Sequence, residues 1–156
     1  MANKKKYGAR AFSEESYKNN DEWGISRIKR HLIESGFEVV DKDEEDYDVD
    51  IIATKDGNEF KYEAEVKSGY PFTGLSDFRF DTVSFLGRKK KFHLRSENGF
   101  YYAIVCRETE AIVYAHSSDI YKEEYRQLKT INAKHRKGLD EFYLVPKEKC
   151  QWTTLK

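Results

Sequence analysis

The sequence predicts an α/β fold, α+β by a looser criterion, and three observations carry that prediction. Ile25, Ile28 and Leu32 recur at three- and four-residue spacing ahead of Gly36, the pattern of a helix with one buried stripe and a glycine stop. Glu59 to Ser68 alternates strictly, with Phe60, Tyr62, Ala64 and Val66 on one side and Glu59, Lys61, Glu63, Glu65 and Lys67 on the other, as in a strand. A second helical stretch, Ser76 to Leu94, then stands between strands. Such a helix implies a crossover, so part of the sheet is parallel and covered on both faces.

The elements follow in order. Residues 1–19 are polar and basic and read as a flexible arm; 20–156 read as one domain, a length sufficient for one core. Asn19, Asn20 or Asp21 can cap the first helix. Phe37 to Val40 is a short strand, and Asp41 to Asp46 an acidic loop. Val49 to Thr54 is a β-branched strand, and the Asp56-Gly57 pair turns it into the next. After a loop from Gly69 to Gly74 and the second helix, strands are expected over 99–106 and 111–116 and a helix over 119–128. A basic segment over 129–138, a strand over 142–145 and the late anchor Trp152 complete the chain.

Composition excludes several classes. Hydrophobic residues make up 38% and charged residues 36%, with 11 Tyr and 10 Phe, so large aromatic areas must supplement a thin aliphatic core. Acidic and basic residues balance at 28 each, so any nucleic-acid partner must be met by local fields rather than net charge. Basic clusters occur at Lys4, Lys5 and Lys6, at Arg88, Lys89, Lys90 and Lys91, and from Lys134 to Lys137; an acidic cluster runs from Asp41 to Asp50. Two cysteines, Cys106 and Cys150, are too few for a disulfide scaffold and suit a reducing cytoplasm. No run approaches membrane-spanning length, no secretory signal follows the basic N-terminus, and no phosphate-binding glycine loop implies a nucleotide cofactor.

The chemistry is concentrated in Asp50, Glu65 and Lys67. Glu65 and Lys67 are two apart on a strand and leave the same face. Asp50 opens the partner strand, but the hairpin arms are unequal, so Asp50 meets Glu65 only if the strands twist, bulge or splay. Two carboxylates converging at strand ends suit Mg²⁺, with Mn²⁺ as a substitute, and a neighbouring lysine can orient a water or stabilise transition-state charge. In a chain this rich in Glu and Lys, a chance Glu-x-Lys is expected roughly once. The weight therefore rests on its conjunction with the hairpin, the upstream Asp50-Ile51-Ile52 and the preceding helix.

The segment VDIIATKDGNEFKYEAEVKSG, with Asp50-Ile51-Ile52-Ala53 and Glu65-Val66-Lys67-Ser68, resembles the core motif of the PD-(D/E)XK nuclease superfamily, closest to its small resolvase-like and restriction-endonuclease-like members. The usual proline before the aspartate is Val49 here. The resemblance implies a restriction-endonuclease-like αβββαβ core, a central mixed sheet flanked by helices, and a cytoplasmic Mg²⁺-dependent endonuclease acting on DNA, structure-selective or broadly acting. Asp50 and Glu65 would hold the metal and Lys67 would assist the nucleophile. Glu22, on the helical stripe of Ile25, is the candidate for the glutamate that the family often adds, and Asp48 is the rival ligand on the strand face of Asp50. Arg88, Lys89, Lys90, Lys91 and the arm lysines Lys4, Lys5 and Lys6 are candidates for phosphate contacts. A homodimer would suit paired strand cuts. The alternative is a catalytically silent module of the same fold that binds nucleic acid or a protein.

Overall fold

The computed structural model describes residues 14–40, 49–133 and 136–154. In chain order its strands are β1 (Glu38–Val40), β2 (Ile51–Lys55), β3 (Asn58–Lys67), β4 (Thr82–Leu86), β5 (Tyr101–Cys106), β6 (Ala111–His116), β7 (Arg126–Ala133), β8 (Arg136–Pro146) and β9 (Gln151–Thr154). The helices are α1 (Glu14–Glu34), α2 (Lys90–Arg95) and α3 (Ser117–Ile120). Six strands form a mixed sheet in the order β1-β2-β3-β5-β6-β9, and three form a second sheet in the order β4-β8-β7. Within the mixed sheet β3 and β5 are parallel, the one register that needs a crossover. The mixed α and β class and the parallel pairing agree with the sequence reading.

The β2–β3 hairpin forms as its turn residues dictate. Asp56 and Gly57 both take positive φ, 54° and 80°, the geometry of a two-residue primed turn, and the register runs from Lys55↔Asn58 to Ile51↔Tyr62. Each face of the mixed sheet then finds a cover. On one side Ile28 and Leu32 of α1 pack on Ile51, Ala53, Tyr62, Ala64 and Val105. Gly24 lets the helix settle there, because a Cβ at this position would stand 2.5 Å from Val66 Cγ2. On the other side Val83, Phe85, Tyr143 and Val145 of the second sheet meet Phe100, Tyr102, Ile104 and Val113.

The structure corrects four expectations. The stretch 76–94 is not one helix: a 3₁₀ turn at Leu75–Asp77 leads to strand β4, a second 3₁₀ turn at Gly87–Lys89 and only the short α2. Val83 and Phe85 alternate with less buried neighbours and pair with β8, so a non-local partner overrides the local helical pattern. The second face of the mixed sheet is thus covered by a sheet rather than by the expected helix. The helix expected over 119–128 is the four-residue α3, a 3₁₀ turn at Glu123–Tyr125 and the start of β7, and the basic segment after it belongs to the β7–β8 hairpin, apart from 134–135, which lie outside the described residues. Finally, α1 begins at Glu14, so Asn19, Asn20 and Asp21 lie inside the helix rather than capping it. Residues 1–13 of the expected arm, with Lys4, Lys5 and Lys6, lie outside the described residues, as does Asp48. No helix among the described residues is long and apolar enough to cross a membrane.

Candidate active site

The alternation of β3 builds the site. Tyr62 and Ala64 join the core under α1, so Glu63, Glu65 and Lys67 leave the opposite face, toward the second sheet. The question of the unequal hairpin arms is resolved by splaying. The described β2–β3 pairing ends at Ile51↔Tyr62, and Asp50 sits in a bend just before β2. There its N–H donates to Glu63 Oε2 (2.6 Å), and its Oδ2 accepts from the Ala64 N–H (3.0 Å). Asp50 is thereby clamped one residue from Glu65.

Glu65 is held from the neighbouring strand. The Tyr102 hydroxyl, on β5, donates to Glu65 Oε1 and accepts from the Leu86 N–H at 3.2 Å. Tyr102 is fully buried, and burial first, then the Glu65 charge, holds its phenol well above the usual range, so it remains a neutral donor. The Lys67 Nζ donates to the Ser84 carbonyl of β4 at 2.8 Å. Burial lowers the Lys67 pKa; the Glu65 charge opposes this and Lys129 adds to it.

Two further groups complete the constellation. Lys89 Nζ makes an ion pair with Glu63 Oε1 at 2.9 Å, with side chains only 12% and 5% exposed. Burial nonetheless raises the Glu63 pKa; Lys89 lowers it and the Asp50 charge raises it again. Asp21 of α1 is open to water along one side, yet its carboxyl is crowded enough by protein that burial raises its pKa. The Asp50 charge raises it further, Lys89 lowers it and Glu22 adds a small rise. Four carboxylates, Asp21, Asp50, Glu63 and Glu65, therefore face two ammonium groups, Lys67 and Lys89.

The donor set suits a hard divalent cation in kind: its ligating atoms are carboxylate oxygens, and the mutual repulsion of Asp21 and Asp50 is what such an ion relieves. No described side chain hydrogen-bonds to the second oxygen of Asp50 or of Glu65. Among the described residues, no three carboxylate, imidazole or thiol groups already close around one point.

Of the residues singled out from the sequence, Asp50, Glu65 and Lys67 are brought to one end of β3. Glu22 is exposed and enters only through its charge on Asp21. Lys89, a candidate phosphate contact, is half-buried and ion-paired with Glu63, and Lys90 Nζ donates to the Tyr143 hydroxyl at 3.1 Å. Arg88 and Lys91 are exposed. Asp21 and Tyr102 were missed. The signal for Asp21 was Gly24: an isolated glycine within a helix marks a close approach, and Asp21 is one turn before it on the Gly24–Ile28–Leu32 stripe. No local signal marks Tyr102, which reads as an ordinary core strand residue. A cavity of about 550 Å³, lined by Asn58, Lys61, Ser96 and His116 among others, lies at the other end of β3 and shares no residue with this constellation.

No protein-family model matches the chain, and no curated protein matches it.

Proposed function

We propose that the chain is a divalent-metal-dependent deoxyribonuclease with a PD-(D/E)XK core. The observation that carries the reading is the clamping of Asp50 beside Glu65 on a strand that also presents Lys67, with each group oriented by a neighbour of its own. Mg²⁺, or Mn²⁺ in its place, would be held by Asp50 and Glu65, with Asp21 rather than Glu22 from the helix, and would supply Lewis-acid polarisation of a phosphoryl oxygen.

The chain's own residues supply the rest. Tyr102 fixes the Glu65 carboxylate in one rotamer before substrate arrives. Glu63 and Lys89 hold the splayed end of β2, and so the Asp50 carboxylate, in place. Lys67 places an ammonium beside Glu65, where it can orient a water and stabilise charge developing on the phosphoryl group. Partial desolvation strengthens that effect, because charges act more strongly where water is excluded.

A second reading, a silent nucleic-acid-binding module of the same fold, is favoured by one observation: the Lys67 ammonium is engaged by the Ser84 carbonyl. Cleavage assays separate the two. Linear, nicked, branched and single-stranded DNA, and RNA, are incubated with Mg²⁺ or Mn²⁺ and wild type, Asp50→Ala, Glu65→Ala or Lys67→Ala. Wild type is expected to cleave at least one DNA form, and Lys67→Ala to lose on the order of a hundredfold or more in rate. Absence of cleavage by wild type, or a Lys67→Ala rate equal to it, defeats the enzyme reading. Metal binding undiminished in both Asp50→Ala and Glu65→Ala defeats the site assignment.

A further inference from the structure

The loop from Gly69 to Asp81 joins the end of β3 to β4, and it carries four aromatic side chains in two opposite environments. Phe72 and Phe78 turn inward and pack edge-on to each other at 5.3 Å and against Trp152. Tyr70 and Phe80 turn outward and remain 56% and 42% exposed. They meet edge-to-face at 5.2 Å, and the Arg79 guanidinium lies over both rings, 4.9 Å from Tyr70 and 5.4 Å from Phe80. Among the described residues no carboxylate forms an ion pair with Arg79. Two exposed rings with a planar cation lying over them are chemically suited to a flat, anionic ligand.

The loop is built to hold this group rigid. The Asp77 carboxylate accepts from the Thr73 N–H (2.9 Å), the Thr73 hydroxyl (2.8 Å) and the Gly74 N–H (3.0 Å). Lys147 Nζ donates to the Phe78 carbonyl at 3.0 Å, directly before Arg79. A rigid aromatic surface loses little entropy when it binds.

Its position connects it to the candidate active site at both ends. Tyr70 is three residues beyond Lys67, at most roughly 11 Å of chain. Phe80 is four residues before Ser84, at most roughly 14 Å of chain, and the Ser84 carbonyl holds Lys67 Nζ at 2.8 Å. At the about 3.4 Å axial step of a stacked strand, these spans are bridged by a few nucleotides.

We propose that Tyr70, Arg79 and Phe80 form a stacking platform for an unpaired nucleobase of a DNA strand that enters the Asp50–Glu65–Lys67 site, so that the substrate is single-stranded or splayed. The proposal deepens, and rests on, the nuclease reading of that site. Duplex DNA presents its bases edge-on within the grooves and cannot offer a ring face to such a platform, whereas every unpaired base has one. Arg79 adds a planar cation that stacks on a base or pairs with the adjacent phosphate.

The test measures binding apart from cleavage. The full chain is titrated by fluorescence anisotropy in EDTA against labelled oligo(dT) of about twelve nucleotides, an abasic strand of equal length, a blunt duplex and oligo(rU). Oligo(dT) is expected to bind more tightly than the abasic strand and the duplex. Tyr70→Ala, Phe80→Ala and Arg79→Ala are each expected to weaken oligo(dT) binding on the order of tenfold. The two ring variants should leave the abasic affinity unchanged, and Tyr70→Phe should retain wild-type affinity. Equal affinity for oligo(dT) and the abasic strand, or wild-type binding by both ring variants, overturns the proposal. Tighter binding of oligo(rU) overturns the assignment to DNA. Sedimentation showing a dimer that Phe80→Ala dissociates, with no loss of oligo(dT) affinity, assigns the surface to self-association and overturns it as well. The two failures are distinguishable: ring-dependent binding without cleavage defeats the nuclease reading and leaves the platform standing, while Lys67-dependent cleavage without ring-dependent binding does the reverse.

Discussion

Replacing Lys89 by Met should destabilise the protein in a pH-dependent way, and the size of the effect follows from the environment of Glu63. The Lys89–Glu63 pair is almost dry, with an Nζ–Oε1 distance of 2.9 Å. Removing one member of a buried pair typically costs about 3–5 kcal/mol, because the other charge is left uncompensated. Glu63 in the variant keeps the Asp50 N–H but also keeps the Asp50 charge as a neighbour. Its pKa is already above 4.5 in the wild type, and loss of the lowering influence of Lys89 raises it further. A carboxyl whose pKa is raised by folding adds stability below its unfolded pKa, and that contribution is lost as pH rises through the folded value. The Lys89→Met deficit should therefore be largest at alkaline pH and shrink as falling pH passes through the raised Glu63 pKa and the carboxyl takes up a proton, by up to about 1.36 kcal/mol per pH unit. At about 2–4 °C per kcal/mol for a chain of this size, the full deficit lowers Tm by roughly 6–20 °C. The assay is thermal unfolding by circular dichroism at several pH values for Lys89→Met, Glu63→Gln and the double variant. Glu63→Gln in the Lys89→Met background should recover most of the loss, because the neutral amide still accepts from Asp50. A deficit below about 1 kcal/mol, one that does not change with pH, or a double variant no better than Lys89→Met would refute this reasoning.

Three more outcomes are expected. Asp21→Asn should stabilise the metal-free protein by a few tenths to about 1 kcal/mol near neutral pH, since it removes a carboxylate that burial and Asp50 disfavour; on the proposed reading Mg²⁺ should raise the Tm of the wild type and raise that of the variant less, and an equal rise in both would exclude Asp21 from the site. Gly24→Ala gains up to about 1 kcal/mol of helix propensity but forces a methyl to within 2.5 Å of Val66 Cγ2, so a net loss of up to about 2 kcal/mol is expected, recovered by Val66→Ala in the same chain as read by denaturant midpoints. Tyr102→Phe leaves the buried Leu86 N–H without its acceptor and Glu65 without its donor; unfolding should show a cost of about 1–3 kcal/mol, and the cleavage rate should fall more than substrate affinity.

The sequence by itself determined the elements whose partners are close along the chain. Asp56-Gly57 sets a two-residue turn, and the alternation of Glu59 to Ser68 sets the two faces of β3 and puts Glu65 and Lys67 on the same one, whereas the place of Asp50 beside them depends on the splay before β2. The stripe of Ile28 and Leu32 likewise identifies the buried side of α1. Only the tertiary structure decided the features that depend on distant partners. Whether 82–86 is helix or strand turns on β8, about sixty residues later, because a short apolar run carries no periodicity strong enough to resist such a pairing. The choice of Asp21 over Glu22 as the carboxyl facing Asp50 turns on how closely α1 approaches Val66, which Gly24 permits. Lys89 reads as one of four exposed cations along the chain, yet from the end of a 3₁₀ turn its side chain reaches Glu63 on β3 and is largely shielded there. Tyr102 reads as core, and it is core; its hydroxyl acquires a role only because the parallel β3–β5 register sets it opposite Glu63 and within reach of Glu65. Local periodicity specifies which way a side chain points, but the group it meets is specified by packing, and here packing turned a charged strand face into a set of oriented carboxylates and lysines.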